Sequence, residues 1–142
     1  MQLTLSEAQL FRMLTGFFGP ERVVFGMSVL TVCSGALPSG ANRLHRDIER
    51  WVRSNRCLFT VVGFEDEPRM VVEFFAGFED SIDPVEEEHQ RILEPLLRAA
   101  GIQYVTISKD EFGYLTDPEN GATFPDFLRE KIGSRFGIDP GY

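Results

Sequence analysis

The sequence predicts an α/β fold built on a mixed central sheet, and three observations carry that prediction. Two runs rich in β-branched and aromatic residues, 57–62 (CLFTVV) and 70–75 (MVVEFF), flank an acidic turn that contains Pro68, which reads as a β-hairpin with a longer loop. Neither run alternates between apolar and polar residues, so both belong in a sheet covered on its two faces. The hairpin is followed by a strong helix start and then a further apolar run, 102–107. A helical crossover of that kind joins parallel neighbours, so the sheet must be mixed.

Taken in order, Thr4 and Glu7 fit a capping box, with Ser6 and Gln9 offering a second register. Leu10, Phe11, Leu14, Phe17 and Phe18 then recur at helical spacing until Gly19-Pro20 stops the helix, giving a helix over 6–18. Residues 23–33 (VVFGMSVLTVC) are predicted as a strand with Gly26 as a bulge, and 34–42 as a loop. Leu44, Ile48, Trp51 and Val52 share one face of an additional helix over about 43–53. After the hairpin, Asp83 at the N-cap, Pro84 at the first helical position and Glu86 at the third start a helix reaching to about 100. Glu86, Glu87 and Glu88 suit the positive end of its dipole. Pro95 removes the amide that would bond back to Arg91, so a kink is expected there. Residues 108–123 read mostly as loop, and a last helix is expected over about 125–136, with Phe127, Leu128, Ile132 and Phe136 inward.

With 142 residues and thirteen phenylalanines, the chain reads as a single domain with a real core, residues 1–142. The formal net charge of −8 opposes a life on phosphate backbone, where each contact needs a cation. A local basic patch overcomes such a field only within roughly 8–10 Å at physiological salt. Cys33 and Cys57, both in predicted apolar strands, are expected to be buried free thiols of a cytoplasmic protein. No apolar run spans a bilayer and no basic region precedes an apolar one at the N-terminus, so neither membrane insertion nor a signal peptide is expected.

Two features bear on function. Glu73 is the one charge in the 70–75 run, and an ionised carboxylate there is costly unless it is paired, emerges into solvent or meets a metal. Arg43, Arg46, Arg50 and Arg53 lie opposite the apolar face of their helix, with Arg56 following, and Asp47 and Glu49 among them. They are read first as a solvated face and second as a nucleic-acid or anion patch. His45 and His89, in separate helical segments without metal-ligand spacing, are read as surface or partly packed side chains.

The order helix-strand-strand-strand-helix-strand, together with the segments SEAQLF, RCLFTVV, MVVEFF and RILEPLLRAAGIQYVTI, resembles the PD-(D/E)XK, or restriction-endonuclease-like, superfamily. Within it the likeness is to small bacterial nuclease-like domains. The likeness covers a core of about 3–108 and leaves 109–142 as a C-terminal extension. In that superfamily an Asp and a Glu on adjacent strands hold a divalent cation, usually Mg²⁺, which activates the attacking water, and a Lys two residues after the Glu helps place it. The resemblance assigns Glu73 to the second carboxylate and Glu7 to the helix carboxylate that some members use. The Asp position falls at Leu58, or at Cys57 one residue earlier, and the Lys position at Phe75. None of these supplies the required group. Gln90 or Arg91 on the crossover helix would be the substitutes for the Lys, and Glu79 or Asp80 for a missing oxygen.

The resemblance with these departures implies a catalytically inactive, nuclease-like binding or assembly module, without cofactor, whose partner is a second copy of the chain or another protein. The alternative is an Mg²⁺-dependent nuclease with a rearranged site, hydrolysing phosphodiester bonds through Glu73 and Glu7.

Overall fold

The computed structural model describes residues 3–33, 43–75, 83–116 and 124–132. Its N-terminal half runs α1 (Leu5–Phe18), β1 (Val23–Phe25), α2 (Val29–Val32), α3 (Arg43–Ser54) and β2 (Phe59–Val62). The remainder runs β3 (Pro68–Phe75), α4 (Pro84–Ala99), β4 (Gln103–Ser108), α5 (Lys109–Thr116) and α6 (Phe124–Ile132). The four strands form one sheet in the order β1-β2-β3-β4. β1 pairs with β2 and β2 with β3 antiparallel, whereas β3 and β4 are parallel and joined by α4. The hairpin is therefore central, and the sheet is mixed as expected.

β3 divides the core. Its residues alternate between two layers, which is the period-two geometry of any strand. Met70 and Val72 face Leu10, Leu14 and Phe18 of α1, together with Phe112 of α5 and Leu128 of α6. Val71 faces the other way, into a cluster with Val29 and Val32 of α2, Val52 of α3 and Leu93 and Leu97 of α4. With both faces covered, the residues that would be polar on a one-sided sheet are apolar here. The exceptions among the described buried residues are Thr60 and Glu73.

Local chemistry explains most helix starts. α1 carries the Thr4 register of the capping box: Glu7 N donates to Thr4 Oγ1 at 3.1 Å and Thr4 N to Glu7 Oε1 at 2.8 Å. At the head of α4, Val85 N donates to Asp83 Oδ1 at 2.8 Å, and the helix runs through Pro95 without ending there. α5 corrects the loop expected over 108–123. Its first turn is a second capping box, with Glu111 N donating to Ser108 Oγ at 3.2 Å and Ser108 N to Glu111 Oε1 at 3.1 Å.

The expected strand over 23–33 is also corrected. Val23–Phe25 forms β1, and beyond it one isolated antiparallel bridge joins Ser28 to Arg56. Gly26 adopts φ 74°, a left-handed conformation that costs glycine little and interrupts the regular strand, although Gly26 N still donates to the Leu58 carbonyl at 3.0 Å and Cys57 N to the Met27 carbonyl at 2.8 Å. Ser28 then caps a helical turn, accepting from Thr31 N at 3.1 Å, so VLTV is helical despite its β-branched residues. Accordingly Cys33 caps α2, and Cys57 lies just before β2, so neither is within a strand. The loop expected over 34–42, Phe136 and the side chains of His45 and Ile132 lie outside the described residues.

Candidate functional site

Glu73 marks the site. By strand alternation it lies on the Val71 face of β3, under α3 and α4, and it is 6% exposed. Two groups hold its carboxylate. His89, in the second turn of α4, places Nε2 3.2 Å from Glu73 Oε1, and Leu58 N donates to the same oxygen at 3.3 Å. An ionised carboxylate only accepts, so in that state the imidazole donates from Nε2. The His89 ring packs on Trp51 of α3, with centroids 5.3 Å apart and planes inclined by 53°. Glu73, His89 and Trp51 thus tie the central strand to both covering helices. Of the ways open to Glu73, the structure supplies pairing, by this histidine, rather than an exit into solvent.

Neighbouring polar groups are buried on the same face. Thr60 and Tyr104 flank Val71 across the sheet, and Thr60 Oγ1 and the Tyr104 hydroxyl have no hydrogen-bond partner among the described residues. The Tyr104 phenol is pushed well above its ordinary range, first by burial and then by the charge of Glu73. The Cys57 thiol is pushed up in the same way by burial, by Glu73 and by Cys33. Burial alone raises Cys33 to about 11. Both cysteines are free. Buried thiols held in the protonated form are poor nucleophiles.

The thiols predict a pH dependence. Up to the ordinary thiol value, 9.0, folded and unfolded chains both hold these protons, and stability is indifferent to them. Between 9.0 and about 11 the unfolded chain releases the Cys33 proton that the folded chain keeps. Stability should therefore fall with rising pH, by about 1.4 kcal/mol per pH unit for a thiol at full effect, and Cys57 should extend the fall. Urea unfolding from roughly pH 7.5 to 11.5 brackets that window and measures the slope. Cys33→Ala should flatten the curve, and an identical slope in that variant would disprove the assignment.

The structure separates the two carboxylates that the resemblance assigns to a cation. Glu7 belongs to α1 on the Met70–Val72 face and is engaged in its capping box, while Glu73 lies on the opposite face. The Asp position does fall beside Glu73, since Leu58 donates its amide there and the Cys57 thiol feels its charge. These groups do not fit Mg²⁺, which takes hard oxygen ligands in octahedral array. Among the described residues no group of three or more His, Cys, Asp or Glu side chains is placed to hold a metal. Gln90 and Arg91 do not supply the contact to Glu73; the residue before them, His89, does. Glu79 and Asp80 lie outside the described residues.

The arginine stripe is only partly available. Arg53 pairs with Glu49 at 3.0 Å within α3, and Arg56 donates to the Gly26 carbonyl at 2.9 Å. Arg46 and Arg50 are exposed, and the side chain of Arg43 lies outside the described residues.

Two grooves open on the surface. One, of about 400 Å³, runs between α3 and α4 beside the Glu73 site, with Ile48, Trp51, Ile92 and Leu96 as its apolar lining and Asp47, Glu88 and Arg91 among its polar residues. The other, of about 570 Å³, lies on the far face against α5 and α6, where Asp110, Glu111 and Glu130 give it an acidic wall. That wall would repel phosphate.

His89 is the site residue that sequence reasoning missed. No spacing marks it, because its partner is 16 residues away on another element. The usable signal was the helix start at Asp83-Pro84: a crossover helix beginning there must lie back over β3, and His89 falls in its second turn. No family model, curated protein or solved structure matches the chain. No helix among the described residues is long and apolar enough to cross a membrane.

Proposed function

We propose that the chain is a nuclease-like α/β domain that has exchanged its cation site for a buried polar lock and serves as a binding or assembly module. The observation that carries this reading is the state of Glu73. Its carboxylate is committed to His89 and the Leu58 amide, on the opposite face of the sheet from Glu7. What remains around it is a thiol, a phenol and an indole, which suit packing rather than phosphate chemistry. The element order, with the antiparallel hairpin feeding a helical crossover into a parallel strand, supports the resemblance at the level of the fold. Fold alone does not supply activity, so the site decides.

The test is cleavage. Purified protein with Mg²⁺ or Mn²⁺ should leave single- and double-stranded DNA intact, and titration calorimetry should show no cation binding that depends on Glu73. Metal-dependent cleavage that Glu73→Gln abolishes would overturn the proposal in favour of an Mg²⁺-dependent nuclease with a rearranged site.

A further inference from the structure

The two helices beside the Glu73 site carry opposite charge. α3 has four arginines against Asp47 and Glu49, a net charge of +2. α4 has Glu86, Glu87, Glu88 and Glu94 against Arg91 and Arg98, a net charge of −2. The apolar groove of about 400 Å³ runs between them. Elsewhere on the same helices, two exposed pairs form at i,i+4 spacing, Arg53 on Glu49 at 3.0 Å and Arg98 on Glu94 at 3.1 Å. The charges at the groove form no such pair among the described residues. Asp47, Glu88 and Arg91 make no ion pair or hydrogen bond among the described residues, although Glu88 and Arg91 stand one helical turn apart. The apolar line continues beyond the groove to Val85 in the first turn of α4, which is 74% exposed.

We propose that this groove is the seat of a second copy of the chain, joined by a two-fold axis so that α3 of each copy lies against α4 of the other. A two-fold contact must be self-complementary. A surface with a positive helix, a negative helix and an apolar seam between them meets that condition: α3 meets its opposite charge twice, and the two seams cover each other. Arg91 then pairs with Asp47 of the other copy, and Arg46 and Arg50 lie towards its Glu88. The long-range field points to the same face. On a chain of net charge −8, the basic helix is where a second acidic molecule is repelled least. Trp51 and Ile92 supply the apolar centre that such contacts need, ringed by charge.

The proposal rests on the reading of the chain as an assembly module and names the partner and the surface. Sedimentation velocity across a dilution series should show a reversible monomer–dimer equilibrium. Arg91→Asp sets two carboxylates face to face at each end of the contact, and Asp47→Arg sets two guanidinium groups there. Each variant alone should weaken dimerisation at least tenfold, about 1.4 kcal/mol. Both positions are at the groove edge rather than in the core, and circular dichroism checks that the variants fold. Mixing the two single variants should restore association. In the mixed dimer the aspartate introduced by Arg91→Asp meets the arginine introduced by Asp47→Arg, and the native pair re-forms at the opposite end. A chain that stays monomeric throughout the dilution series overturns the proposal, as does a mixture no more associated than its components. Those outcomes leave the cleavage test untouched, so this inference can fail while the domain remains inactive as a nuclease.

Discussion

His89→Ala should destabilise the protein by about 3 kcal/mol, because it leaves the Glu73 carboxylate buried with only the Leu58 amide to hold it. The side chains of Glu73 and His89 are 8% and 18% exposed, so the carboxylate has little solvent to take the place of the imidazole. Loss of the His89 ring also strips Trp51 of its packing partner. Much of the cost is the penalty of an unpartnered charge rather than the worth of the pair, and that distinction is measurable. Glu73→Gln removes the charge and keeps an acceptor for Leu58, so it should cost about 1 kcal/mol. The double variant should then be more stable than His89→Ala alone, an interaction of opposite sign to simple addition. Urea unfolding followed by the fluorescence of Trp51, the single tryptophan, reads all four proteins. A cost below about 0.5 kcal/mol for His89→Ala would mean that Glu73 is solvated, and the buried lock would have to be abandoned.

Phe59→Ala should cost about 3–5 kcal/mol by a different mechanism, cavity formation on the other face of the sheet. Phe59 is fully buried and sits where α1, β1 and β2 meet, its ring centroid 5.4 Å from that of Phe11 and 6.1 Å from that of Phe25. Removing the ring leaves both neighbours without contacts that no nearby side chain can restore, because interiors relax only in part. The loss should appear as a lower urea midpoint with little change in slope. A double variant with Glu73→Gln measures how far the two faces act independently, since Leu58, next to Phe59, donates its amide to Glu73. Strong non-additivity would show that the two layers are coupled through β3.

For the Glu73 site, the sequence marked the buried carboxylate but not the groups that surround it. A lone carboxylate in a doubly buried strand demands a partner whatever the fold, so Glu73 was legible from its neighbours alone. Which partner it takes depends on how α4 lies across β3. That placement is set by helix packing over the parallel β3–β4 pair, and nothing at Glu73 or His89 encodes it locally. Glu7 shows the same limit in reverse. Its capping role with Thr4 was legible because both groups lie within one helical turn. That it faces away from Glu73 follows only from α1 covering the opposite side of the sheet.

Local and periodic choices are written in the chain itself. The doubly apolar runs made β2 and β3 the centre of the sheet, the helix start at Asp83-Pro84 made the crossover, and the apolar stripes made α1, α3 and α4. The Ser108–Glu111 box was equally readable, and its α5 followed from the same chemistry as α1. Long-range packing settled what those local choices left open. Val29, Thr31 and Val32 are β-branched residues suited to a strand, yet the ladder ends at the Ser28 bridge, Ser28 caps a helical turn, and Val29 N bonds the Asn55 carbonyl at 3.1 Å. There the burial of Val29 and Val32 against α3 and α4 outweighs a propensity worth at most about 1 kcal/mol. The same packing closes Glu73 onto His89 and sets α3 and α4 on either side of their groove, because both depend on distances between helices that no sequence window contains.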